Sequence, residues 1–144
     1  MEYVKVESVS IDEPLCELLK SIPRLPIQGD GFRAYFDKLI RLGHCFVAEE
    51  EGVVRGVVGF YANNLETHEG FLSVLAVDQS LRRQGVGHNL CKLMFDECKA
   101  ARMEKIFGYV VKDNCADLEF YKSIGFRIVG NGRDEFHFRM EIDV

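Results

Sequence analysis

The run "FLSVLAV", residues 71–77, is almost wholly apolar and is followed by "DQSLRRQGVG" and then an amphipathic stretch. A strand without polar alternation has to be covered on both faces. Gly70 to Val77 is therefore expected to be a central strand. Gly85 to Arg102 is expected to be a long helix with Val86, Leu90, Leu93, Met94 and Ala101 turned inward. "KIFGYVV", Lys105 to Val111, reads as a second buried strand. Two strands joined in this way should lie parallel with a right-handed crossover. The unit restricts the chain to folds in which helices cover a sheet.

The remaining pattern fits around it. Tyr3 to Val9 alternates as a first strand, and Asp12 and Pro14 open a helix with Leu15, Leu18, Leu19 and Ile22 on one side. "PRLPIQGDG" is a loop by its prolines and glycines. Phe32 to Leu42 is a second helix, ended by Gly43. "HCFVAEE" and "VVRGVVGFYAN" form a hairpin around "EEGV". "CADLEFYKSIG" is a short helix, and "FRIVG" and "EFHFRMEI" are closing strands. A chain of 144 residues suits one domain, 1–144, of class α/β with a mixed (α+β) sheet and helices on both faces.

Charge and cysteine usage narrow the function classes. A net charge of −5 argues against a general nucleic-acid binder. No apolar run has bilayer-spanning length, and "MEYVKVESVS" lacks a signal pattern, so a cytoplasmic location and no membrane partner are expected. The five cysteines include no CxxC, which agrees with a reducing compartment. Cys91 and Cys98 share a helix face and His44 adjoins Cys45, but neither pair has zinc-site spacing. These thiols read as core residues, and no metal is expected.

The junction "SLRRQGVGHNLC" is the chemically informative segment. From Asp78 to Lys92 the chain carries three basic residues against one acidic, a local charge of +2 in an acidic protein. A helix start offers unpartnered N–H groups and partial positive charge. Gly85 and Gly87 would let a bulky anion approach the main chain, and Arg82 and Arg83 add fixed charge. An ordinary strand-to-helix turn is the competing reading from the glycines alone. A Walker loop is excluded, since no GK[ST] follows. A dinucleotide fingerprint fails at Leu90 in "GVGHNL" and comes late in its domain.

"LAVDQSLRRQGVG" resembles the acyl-CoA-binding motif of the GNAT superfamily of N-acetyltransferases, a strand followed by [RQ]-x-x-G-x-[GA] and a helix. Arg82, Gly85 and Gly87 fill that pattern. "VVKDNCADLEFYKSIGF" resembles the family's second signature, an asparagine after the next strand and then "FYxxxGF", matched by Asn114, Tyr121, Gly125 and Phe126. One departure is "DQS", where many members carry proline soon after the "LAV" strand. The resemblance implies a single-domain GNAT-like fold: a mostly antiparallel sheet whose parallel pair splays at a cofactor cleft.

It also implies acetyl-CoA as co-substrate. Cofactor-binding residues would be Leu75, Ala76 and Val77 along the pantetheine arm, Arg82, Arg83, Gln84, Gly85, Val86, Gly87 and His88 at the pyrophosphate, and Asn114 beside the arm. Tyr121 would be the general acid to the CoA thiolate. An N–H near Leu75 to Val77 would stabilise the carbonyl oxygen. Glu66, His68 and Glu69 precede the central strand at its acceptor edge and are candidate bases, each also readable as a solvated loop residue. Phe32, Tyr35, Phe36 and Tyr61 are candidate pocket aromatics or core. The expected partner is a small-molecule or peptide amine, and a homodimer stays open. A non-catalytic acyl-CoA-binding or sensing module on the same fold is the other reading.

Overall fold

The computed structural model describes residues 1–7, 29–81 and 84–144. The expected helix near Asp12 and the arginines Arg82 and Arg83 lie outside the described residues. The elements are β1 (Glu2–Lys5), α1 (Gly29–Leu42), β2 (His44–Glu50), β3 (Val53–Tyr61), β4 (Glu69–Val77), α2 (Val86–Ala100), β5 (Lys105–Val111), α3 (Cys115–Ile124), β6 (Arg127–Asn131) and β7 (His137–Asp143). A 3-10 turn, Gln79–Leu81, links β4 to α2.

The strands form one sheet in the order β1-β2-β3-β4-β5-β7-β6. Neighbours are antiparallel except β4 and β5, which are parallel as expected for strands joined through a helix. Alternation sorts the side chains into two cores. On one face Val58, Phe60, Leu72, Ile106 and Met140 pack with Leu90, Cys91, Met94 and Cys98 of α2. Leu118, Tyr121 and Ile124 of α3 close over the same core. On the opposite face Phe32, Phe36 and Leu39 of α1 cover Cys45, Val47, Val57 and Val74. Helices on both faces are thus observed.

Boundaries shift for local reasons. β1 ends at Lys5, although Val6 N–H still donates to the Cys45 carbonyl at 2.8 Å. Helix α1 starts at Gly29, so "GDG", expected as loop, forms its first turn. Helix α2 stops at Ala100 because Arg102 adopts a positive φ of 66°. Among the described residues no helix is long and apolar enough to cross a membrane.

Two irregularities of β4 matter most. It pairs with β5 only at Glu69↔Lys105, Gly70↔Ile106 and Phe71↔Phe107, although the strands run on to Val77 and Val111. Against β3, Gly59 faces Val74 and Phe60 faces Leu72, which leaves Ser73 as an extra residue, a β-bulge. Ser73 and Val74 therefore both turn toward α1: Ser73 hydrogen-bonds the Tyr35 hydroxyl and Val74 joins the α1 core. The bulge and the end of parallel pairing fall at the same height of the strand.

Leu39 is fully buried at the centre of the α1 core. Leu39→Ala is expected to lower unfolding free energy by about 2–5 kcal/mol, read from urea denaturation. An unchanged midpoint would mean that this cluster does not hold α1 to the sheet.

Candidate active site

The α2 N-terminus lies just past the C-terminal end of β4. Gly85 is its N-cap, with φ 81° and no side-chain capping bond. That left-handed backbone accounts for glycine at this position. The first α-helical bond of the turn runs from Asn89 N–H to the Gly85 carbonyl at 3.0 Å. Among the described residues the amides of Gly85, Val86, Gly87 and His88 have no acceptor, and the first turn carries no acidic residue. Among the described residues no side chain or carbonyl compensates this positive helix end. Gln84 is exposed beside it, its amide reaching the Ser80 carbonyl at 3.4 Å.

Gly87 has a different physical reason from the one its spacing suggested. A Cβ there would lie 2.7 Å from Phe120 Cζ, so the missing side chain admits the ring of a neighbouring helix rather than an anion. Its main-chain N–H remains available. His88 stacks edge-on against the same ring at 5.4 Å, and its Nε2 lies 3.4 Å from Ser123 Oγ. The start of α2 is therefore fastened to α3.

Asp78 shapes the linking turn. Its carboxylate accepts from Ser80 N–H at 3.0 Å, Ser80 Oγ at 2.9 Å and Arg55 Nη1 at 3.0 Å. The Ser80 bonds, and then Arg55, hold its carboxyl below the usual range. This Asx-type turn is built on the "DQS" segment.

Leu75, Ala76 and Val77 pair with Val58, Val57 and Gly56 on one side only. Among the described residues the edge of β4 toward β5 has no ladder partner beyond Phe71. Along the splayed half of the strand this edge's main-chain donors and acceptors are thus unpaired among the described residues, the feature an amide-rich ligand could pair with.

Tyr121 packs edge-on against Phe120 at 5.4 Å and Phe126 at 5.6 Å. Burial first, then Asp117 and Cys91, pushes its phenol well above the usual tyrosine range. It therefore keeps its proton at neutral pH. Asn114 is the N-cap of α3: Oδ1 accepts from Asp117 N–H at 3.0 Å, and Nδ2 donates to Asp117 Oδ2 at 2.9 Å. The cap uses one of its two amide hydrogens.

The three candidate bases are dispersed. Glu66 sits exposed in a turn where its N–H donates to Asn64 Oδ1 at 3.1 Å. His68 Nδ1 lies 3.0 Å from the Arg102 carbonyl, and its own carbonyl accepts from Glu104 N–H at 2.8 Å, which clips the loop to the end of α2. Glu69 is ion-paired with Arg139 at 3.3 Å. Arg139 also bonds Glu141, which in turn takes Lys105 at 3.3 Å.

One group at the splay was not singled out in the sequence. Ser73 has no motif around it, because a bulge is a register effect between strands. Tyr35, a candidate pocket aromatic or core residue by sequence, has its hydroxyl on Ser73. Cys45, Cys91 and Cys98 are buried with thiols pushed up to about 12, as core residues should be. Among the described residues no cluster could hold a metal ion.

The Acetyltransferase (GNAT) family model matches residues 13–126. The chain belongs to the GNAT acetyltransferase family. This GNAT chain is 32% identical over 66 residues to GCN5-related N-acetyltransferase 6, chloroplastic, of Arabidopsis thaliana; the match spans 46% of the chain but only 23% of that protein. It is 24% identical over 131 residues to N-alpha-acetyltransferase 30 of Dictyostelium discoideum, covering 88% of the chain and 68% of the relative. Its fold superposes on that of an aminoglycoside 6'-N-acetyltransferase complexed with coenzyme A, with TM-score 0.74, 18% identity and coverage of 97% and 96%.

The two glycines make separable predictions. Gly87→Ala should displace Phe120 and cost about 1–3 kcal/mol, as overpacking does. Gly85→Ala meets nothing within 4 Å and should cost about 1–2 kcal/mol from its backbone angle alone. Thermal melts with near-UV dichroism distinguish them: only Gly87→Ala should disturb the aromatic signal. Equal aromatic signals in both variants would contradict the Phe120 contact.

Proposed function

We propose that this chain transfers an acetyl group from acetyl-CoA to a primary amine by direct attack. The observation that carries this reading is the first turn of α2, at the open end of the splayed strands, whose amides meet no acceptor among the described residues. Anionic ligands bind such turns through main-chain N–H groups. The amides of Gly85, Val86, Gly87 and His88 would hold the pyrophosphate, with Arg82, Arg83 and Gln84 adding charge and polar contacts. Leu75, Ala76 and Val77 would offer main-chain groups to the pantetheine arm, and the second amide hydrogen of Asn114 would face it. The residues fit the ligand's chemistry: an amide ladder for an amide-rich arm and an electropositive turn for its phosphates.

Acetyl-CoA supplies an activated acyl group as a thioester. The chain's part is to orient the carbonyl, neutralise developing charge and return a proton. An N–H of the splayed half of β4 would donate to the carbonyl oxygen, a contact worth about 10²–10³ in rate. Tyr121, which holds its proton at neutral pH, would deliver it to the departing sulfur. Of the candidate bases, Glu69 is committed to Arg139, and Glu66 and His68 sit in the preceding turn, so proton removal from the amine through water fits best. A small-molecule or peptide amine fits this reading, and relatives are named for both aminoglycoside and N-alpha acetylation.

Calorimetric titration with acetyl-CoA, then mass spectrometry of an amine panel, tests the whole reading. Binding with every amine left unmodified would favour a sensing module. His88 is exposed at the first turn of α2. His88→Glu should weaken acetyl-CoA binding about fivefold, its loss of the Phe120 and Ser123 contacts being partly offset by the favourable placing of a carboxylate at the helix start. Unaltered affinity would place the phosphates elsewhere. Tyr121→Phe should keep acetyl-CoA affinity and lower turnover by about tenfold or more. Full turnover in that variant would remove Tyr121 from the mechanism.

A further inference from the structure

One sheet face at the splay carries a set of groups that acyl transfer, as argued above, leaves unused. The bulge turns Ser73 toward α1, where its Oγ is hydrogen-bonded to the half-buried Tyr35 hydroxyl. Two residues earlier on the same face, Phe71 meets the rings of Tyr61 at 6.5 Å, Phe107 at 5.0 Å and Tyr109 at 6.0 Å. All four rings are half-buried, so part of each is open to a ligand. The guanidinium of Arg133, in the β6–β7 loop, lies 5.3 Å from the Tyr109 ring, and its charge also reaches the Tyr35 phenol. The hydroxyl pair and the ring wall therefore lie on one face of β4.

Charge on this face is already matched. Glu69 and Glu141 are held by Arg139 and Lys105, and Asp143 is held by Arg127. Arg139 itself lies 4.1 Å from the centre of the Phe107 ring. Every carboxylate of β4, β5 and β7 is thus ion-paired, while Arg133 puts positive charge beside the Tyr109 ring. An acceptor with a second ammonium group meets repulsion here and no free carboxylate.

Resting on the acyl-transfer reading, we propose that the amine to be acetylated hydrogen-bonds the Tyr35–Ser73 hydroxyl pair while its body lies on the rings of Tyr61, Phe71 and Tyr109, which selects monoamines on a flat apolar group over polyamines. One N–H of the amine donates to a hydroxyl oxygen of the pair. That bond orients the nitrogen lone pair toward the gap between β4 and β5. Ser73 is the bulged residue, so the acceptor contact lies where the strand's free edge begins.

The test compares 2-phenylethylamine with putrescine at equal concentration, with acetyl-CoA as donor and thiol release as readout. The expected kcat/KM is about tenfold higher or more for 2-phenylethylamine. Tyr35→Phe and Ser73→Ala should each lower kcat/KM for that amine about five- to tenfold, as loss of one hydrogen bond does, and leave KM for acetyl-CoA within about twofold. The double variant should lose no more than either single one, since the two hydroxyls act as a unit. Equal or better use of putrescine overturns the proposal, as does acetyl-CoA binding with neither amine acetylated. So do variants that change only acetyl-CoA affinity. Failure to bind acetyl-CoA would instead overturn the acyl-transfer reading and this one with it.

Discussion

Backbone pairing between β4 and β5 ends at Phe71 and Phe107, and the rest of the site depends on that interruption. A parallel pair normally satisfies its main-chain groups by continuing the ladder. Here the ladder stops while β4 still has residues 72–77 to run. Those residues stay extended because β3 holds their other edge. The result is a strand with one satisfied edge and one open edge inside a sheet, an unstable arrangement unless something pairs with the open edge. The bulge at Ser73 supplies the bend that lets the strands part.

Three consequences radiate from this point. Toward the C-terminal end of β4, the Asp78 turn leads toward α2, whose first-turn amides meet no acceptor among the described residues. On the α2 face, Leu72 and Leu75 pack into the larger core and keep the open edge at a fixed depth. On the α1 face, Ser73 and Val74 both point outward from the strand, one to a polar partner and one to an apolar core. A single extra residue therefore gives one strand a different role on each side.

Much of the fold was legible in the sequence. The apolar continuity of 71–77 and 105–111 identified the two central strands, because full burial leaves no room for polar alternation. Gly85 marked the start of α2 through its backbone requirement. The glycine-arginine junction pointed to the helix end, although Gly87 owed its identity to Phe120. Asn114 was legible as a motif residue but not as a cap. What stayed hidden was relational. Strand register decides a bulge, and cross-strand pairing decides that Glu69 is bound to Arg139, a residue seventy positions away. No local window contains either fact.

The two sequence motifs are also mechanically joined. Phe120 fills the notch at Gly87, Ser123 reaches His88, and Tyr121 follows Phe120 directly in the chain. Helix α3 thus carries both the ring that locks the start of α2 and the tyrosine beside Cys91 of that helix. A shift of α3 large enough to misplace the Tyr121 hydroxyl would pull Phe120 out of its notch and expose apolar surface, at a cost of about 2 kcal/mol for a ring of that size. Packing of this kind keeps the first turn of α2 and the Tyr121 side chain in a constant relation. It also explains why glycine in the first motif and an aromatic pair in the second occur together: each is the steric complement of the other.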